Sequence, residues 1–94
     1  MNYKILKTAE LIKALYDSDD GATGGYGHIV FDDDNLETTH IEWCIEEAVK
    51  DEYDLSKETR VASIYALQSM LELNIKEREQ ANNYYWNNLR KIKP

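Results

Sequence analysis

Disulfides are excluded before any motif is considered, because the 94 residues include one cysteine, Cys44. A lone thiol fits a reducing compartment, and stability must then come from a core, a metal or a partner. Proline is as scarce: Pro94 stands alone at the end, so no proline interrupts an element before it. No run approaches the roughly 20 consecutive apolar residues of a membrane-spanning helix, and the N-terminus lacks the apolar stretch of a secretory signal. We therefore expect a cytoplasmic chain complete from Met1, forming a single domain over 1–94 near the lower size at which domains fold unaided.

Positive charge is missing from the middle of the chain. Residues 17–54 hold 13 acids against one base, Lys50, whereas the segments on either side are mildly basic, and the net charge is -7. Such a block repels nucleic-acid phosphate and attracts a basic protein surface. The plain alternative is that the acids only solvate a small domain. Glycine is absent except at Gly21, Gly24, Gly25 and Gly27, and this cluster marks a specially shaped loop.

What is present reads as an α+β fold, mostly α, with about three helices and one short β element. Thr8 can cap a first helix to about Asp17, with Leu11, Ile12, Leu15 and Tyr16 as its apolar stripe. His28 to Phe31 is β-prone; a lone strand leaves its backbone unpaired, so residues 2–6 or a second copy would have to pair with it. Thr39-His40-Ile41-Glu42 fits a capping box, with Asn35 as rival cap one turn earlier. The helix that follows buries Ile41, Cys44, Ile45, Ala48 and Val49. Trp43 lies off that stripe, either covered by another segment or exposed as a contact. From Ser56, a candidate cap, to Lys93 one long helix, or two joined by a subtle break, is expected. Its first half has an apolar face of Val61, Ile64, Tyr65, Leu67, Leu71 and Ile75. A continuous helix there would be about 54 Å long, so its aromatic end, Tyr84-Tyr85-Trp86, would fold back on the first helix or meet a partner.

Most site motifs fail. Asp17-Ser18-Asp19-Asp20-Gly21 resembles the start of a calcium loop, but Gly21, Ala22 and His28 occupy positions that require an oxygen ligand, glycine and glutamate. The glycine run lacks the Gly-Lys-Ser/Thr of a phosphate loop, and no nucleophile, base and orienter are grouped. A zinc site built from His28, Asp32, His40 and Cys44 is the metal candidate. His40 and Cys44 are spaced i, i+4, and Asp32 shares strand parity with His28, provided the chain turns after Phe31. The alternative makes Cys44 a core residue and leaves the histidines on the surface.

Gly24-Gly25, His28-Ile29-Val30-Phe31-Asp32-Asp33-Asp34-Asn35 and His40-Ile41-Glu42-Trp43-Cys44 together resemble a pattern of small uncharacterised phage and prophage proteins of Gram-positive bacteria. The resemblance covers about residues 21–48, and Asp34 stands where that pattern usually carries glycine. It implies a mobile-element origin and no assigned activity. Anti-CRISPR and DNA-mimic anti-restriction proteins are similar in size and acidity. The favoured expectation is a non-enzymatic inhibitor whose Asp33, Asp34, Glu42, Trp43 and Glu46 contact a host CRISPR effector or restriction enzyme. Asp32 belongs to the same acidic run. The rival expectations are a zinc-stapled domain or metal-dependent nucleotide enzyme, and a dimeric structural or adaptor protein held by its C-terminal helix.

Overall fold

A computed structural model describes residues 2–18, 26–50 and 56–90, and the side chains of 29–31 but not those of 26–28. The loop holding Gly21, Gly24 and Gly25 lies outside the described residues. Five α-helices follow in order: α1 (Tyr3–Ser18), α2 (Tyr26–Phe31), α3 (Thr38–Lys50), α4 (Lys57–Leu71) and α5 (Ile75–Tyr84), the last running into a π-helical turn at Tyr85–Leu89. The extents of 36 × 35 × 20 Å make a slab whose thickness matches two layers of helices about 10 Å across.

No strand occurs among the described residues, which corrects the β element expected at 28–31 and the partner strand at 2–6. Residues 28–31 belong to α2, and the reason is burial. Val30 and Phe31 are adjacent yet 0% and 1% exposed, whereas Ile29 is 39% exposed. Alternation along a half-buried strand would put neighbours on opposite faces, while a helix lets Val30 and Phe31 share a side and satisfies their backbone without a second strand. Tertiary packing thus overrides the β preference of Ile-Val-Phe.

Residues 2–6 open α1. Asn2 caps it, its Oδ1 accepting from the Ile5 amide at 2.9 Å. Thr8 is therefore interior, fully buried and hydrogen-bonded through its hydroxyl to Ser69 of α4. At the other end of the pair, Thr59 Oγ1 donates to the Ser18 carbonyl at 3.1 Å, so α1 and α4 run antiparallel.

Of one long C-terminal helix or two joined by a break, the second is found, and with α2 it raises the expected three helices to five among the described residues. Glu72 to Asn74 form the break, and Asn74 with Glu77 forms a reciprocal capping box that starts α5. Asn-x-x-Glu was the signal that could have placed this break. Ser56 caps α4 as expected, accepting from the Thr59 amide at 3.2 Å. The buried face of α4 is not the bulky one: Thr59, Ser63, Ala66, Leu67 and Met70 face inward, while Tyr65 is 58% exposed. The capping box expected at Thr39 is displaced as well, since α3 starts at Thr38 and the Ile41 amide bonds the Glu37 carbonyl. Ile41, Cys44 and Ala48 are buried as expected, but Val49 is 60% exposed.

After the break, α5 and the π turn pack against α1. Arg78 marks the junction. It is 6% exposed; Nε donates to the Met70 carbonyl and Nη1 to the Leu36 carbonyl, both at 2.8 Å, and to Thr38 Oγ1 at 2.9 Å. One guanidinium fork thereby fastens the end of α4, the α2–α3 connection and the start of α3 to α5.

Candidate interaction surface

The acidic run after α2 is held in a defined turn. Asp34 adopts φ 54°, and the Asn35 amide reaches back to the Val30 carbonyl at 3.1 Å, the six-to-one bond of a left-handed helix end. Glycine is the usual occupant of such a position, and aspartate is among the side chains that tolerate it. The Phe31 carbonyl accepts two side chains from the C-terminal unit, Asn82 Nδ2 and Trp86 Nε1, each at 3.1 Å. Asn82 Nδ2 also donates to Asp34 Oδ1 at 3.0 Å, and the Tyr16 hydroxyl donates to Asp32.

An aromatic group closes this corner. Tyr16 stacks on Tyr85 at 5.0 Å between centroids and meets Trp86 edge-on at 5.4 Å, with the Arg90 guanidinium 4.4 Å above the Trp86 ring. Burial, reinforced by the hydrogen bond to the Asp32 carboxylate, pushes the Tyr16 phenol far above its ordinary range. The aromatic end of the chain is thus seated on α1, one of the two placements anticipated for it. All three consecutive aspartates are exposed, with Asp32 accepting from the Tyr16 hydroxyl and Asp34 from Asn82.

The outer face of α3 carries the rest of the expected contact set. Ile41, Cys44 and Ala48 anchor the inner face at 0–1% exposure, and Arg78 holds the first turn through Thr38. On the opposite side Glu42, Trp43 and Glu46 point to solvent, with Trp43 47% exposed and its ring stacked beside His40 at 6.3 Å. The spacing i, i+1, i+4 puts an indole between carboxylates on a helix that is rigidly seated behind them. Such a surface presents a large aromatic contact at little entropic cost together with a local negative field.

The proposed metal ligands are brought together only in part. His40 Nε2 lies 3.8 Å from Cys44 Sγ, as i, i+4 geometry requires. Cys44 is fully buried, and burial pushes its thiol up to about 11, which opposes the thiolate a metal needs. Asp32 is engaged by Tyr16, and the side chain of His28 lies outside the described residues. Among the described residues no group of three or more His, Cys, Asp or Glu is placed to hold an ion, and no helix is long and apolar enough to cross a membrane.

Arg78 and Asn82 are the polar middle of the heptad-like face that continues from Ile75 to Tyr85 and Leu89, and both are buried, as their place on that face implies. The hollows beside α1 and α4 escaped the sequence reading. Residues of α1 and α4 border one hollow of about 480 Å³, lined by Leu11, Ala14, Val61, Ala62 and Tyr65 with the charged Lys57 and Glu58, and another of about 160 Å³ lined by Tyr3, Lys4, Lys7, Ser69 and Glu72. The chain matches no family model, no curated protein and no solved structure.

Proposed function

We propose that this chain acts by binding another protein, as a phage- or prophage-type inhibitor that covers a basic surface of a host nucleic-acid enzyme of the CRISPR-effector or restriction class. The observation that carries the reading is the exposed Trp43 between Glu42 and Glu46, on a helix whose other face is fully buried. A basic nucleic-acid groove offers cations to the carboxylates and the apolar stems of lysine and arginine to the indole. Asp33 and Asp34, both exposed, extend the negative field from the neighbouring turn, where the neutral Asn82 amide holds one Asp34 oxygen in place.

The test is nuclease inhibition by purified protein against a Cas9-type effector and a restriction enzyme, with Trp43→Ala and Glu42→Lys/Glu46→Lys variants. Both variants should keep the wild-type circular dichroism and lose at least about tenfold in affinity, as expected of a central contact worth more than about 1.4 kcal/mol. Binding that survives both variants, or that is equal at low and high salt, refutes the surface and its electrostatics. The zinc alternative stands on the His40–Cys44 pair, and elemental analysis of untagged protein decides it: one equivalent of zinc supports a metal site, and none ends it.

A further inference from the structure

The segment formed by α5 and the π turn has a back and a front. On the back, Asn82 and Tyr85 are 2% and 3% exposed, and Asn82 Nδ2 and Trp86 Nε1 both donate to the Phe31 carbonyl. On the front, Gln80, Asn83, Tyr84, Asn87 and Asn88 border one hollow of about 270 Å³. The amides are exposed and Tyr84 is half-buried, and the hollow spans the junction with the π turn at Tyr85–Leu89, a geometry that recurs at functional sites.

This front differs from an ordinary solvated face in charge, residue type and bonding. The chain is 31% charged, yet no residue bordering the hollow carries a charge. Lys76 and Glu79, one turn earlier on the same side, are of opposite sign and stand outside it. Asparagine is among the poorer helix formers, so a surface serving solubility alone would carry lysine, glutamate or glutamine in its place. Asn2, Asn74 and Asn82 cap helices or anchor the turn, whereas the side chains of Gln80, Asn83, Asn87 and Asn88 make no hydrogen bond with any described residue. Their donors and acceptors are free for groups outside the chain.

We infer that this hollow is a binding site for a neutral sugar, with Tyr84 against the ring and the carboxamides on its hydroxyls. A carboxamide offers two donors and an acceptor oxygen, and a hydroxyl both donates and accepts, so amides match the hydroxyls of a pyranose without any charge. The C–H face of the ring is apolar and packs on a tyrosine ring. The volume lies a little under the roughly 300 Å³ at which pockets for drug-sized ligands begin, which suits one ring of an oligosaccharide. A phosphate or carboxylate ligand finds no cation in the lining. A nucleic-acid base, although amides read its edge, brings phosphates to a chain of net charge -7. Because the segment is locked from behind through Asn82, Tyr85 and Trp86, the cost of ordering falls on the amide side chains and not on the backbone. So small a set of contacts places the dissociation constant on the order of 1–10 mM. The site shares no residue with the α3 face, and neither reading depends on the other.

NMR titration of isotope-labelled protein tests the inference, because the side-chain amide signals of asparagine and glutamine are observed directly. The probes are maltotriose, cellotriose, mannotriose and triacetylchitotriose, each raised to about 20 mM. At least one should shift the side-chain signals of Asn83, Asn87 or Asn88 and saturate. Tyr84→Leu, which keeps bulk without a flat ring, and Asn83→Ala/Asn87→Ala should each weaken that sugar at least about fivefold with native circular dichroism. The alanine pair should melt at or above the wild-type Tm, by up to about 8 °C, since alanine is the better helix former. Trp43→Ala should bind the sugar like the wild type, which separates failure here from failure of the proposed function. Signals unmoved by every probe, or variants that bind as the wild type does, overturn the inference. An alanine pair that melts lower shows the amides to be structural and overturns it too, as does a short thymidine oligonucleotide that shifts the same signals more strongly than any sugar.

Discussion

Replacing Arg78 by methionine keeps the bulk of the side chain and removes the fork that joins α5 to three other places in the chain. Three hydrogen bonds from a charged donor are lost, at 2.8, 2.8 and 2.9 Å. Bonds of this kind contribute about 1.5–3 kcal/mol each when tested singly. The Met70 carbonyl keeps another donor, the Leu73 amide at 3.1 Å, so the heavier penalty falls at the Leu36 carbonyl, where losing a buried partner costs about 1–3 kcal/mol. Relief from burying a guanidinium offsets part of the sum, and a net loss of roughly 3 kcal/mol remains. A 94-residue domain has about 5–14 kcal/mol in total, so the variant should fold with little to spare. Urea unfolding followed by circular dichroism and by the fluorescence of half-buried Trp86 should show the midpoint lowered by about 2–3 M at unchanged m-value, and Tm lowered by about 15 °C. Arg78→Lys keeps the charge without the planar fork and should fall between the two. A methionine variant within about 1 kcal/mol of wild type, or a lysine variant equal to it, would refute the fork as the fastening.

Other substitutions probe single features. Asn74→Ala removes the cap of α5 and should cost about 1 kcal/mol in chemical denaturation, with a smaller effect for Asn74→Ser, which keeps an acceptor. Asp34→Asn retains both the tolerance for φ 54° and the acceptor for Asn82, so its midpoint should match wild type; Asp34→Val should lose about 1–3 kcal/mol, since a β-branched residue is strained there. In zinc-free protein, Cys44 should resist a thiol reagent at pH 8 until urea exposes it. The same thiol gives the protein an alkaline limit. Burial pushes its folded pKa to about 11, above the ordinary value of 9.0, so the unfolded state loses its proton first; the thiol's own contribution is flat below pH 9 and falls between 9 and 11, and the raised phenols of Tyr16 and Tyr85 add to the decline above pH 10. Cys44→Ala should reduce the part of the decline that begins near pH 9 in a pH series of unfolding midpoints, leaving the phenol part, at the expense of a lower plateau from the cavity it leaves.

Elements governed by helical periodicity were legible in the sequence. The inner face of α3 at Ile41, Cys44 and Ala48, and the cap at Ser56, follow from spacing and side-chain chemistry alone. Residues 28–31 were misread because their β preference is local, whereas the burial of Val30 and Phe31 depends on helices distant in sequence. The partners of the acidic run were hidden for the same reason: donors to Asp32 and Asp34 include Tyr16 and Asn82, 16 and 48 residues away. Trp43 was placed off the buried stripe by periodicity, and its exposure turned on whether another segment covers it, which only the assembled helices decide.

The Phe31 carbonyl, bonded by Asn82 and Trp86 from 51 and 55 residues downstream, has a consequence for how the chain comes to be folded. Ser69 meets Thr8 across 61 residues, and Arg78 meets Leu36 across 42. Helical proteins usually fold fast because consecutive helices close on one another with short loops between them. Here the ties that complete the slab run from one end of the chain to the other. During synthesis, α1 to α3 must therefore wait for residues 78–86 to leave the ribosome before the acidic turn can set. Until then the Phe31 carbonyl lacks its Asn82 and Trp86 donors, although α3 already has α4 and α2 to pack against.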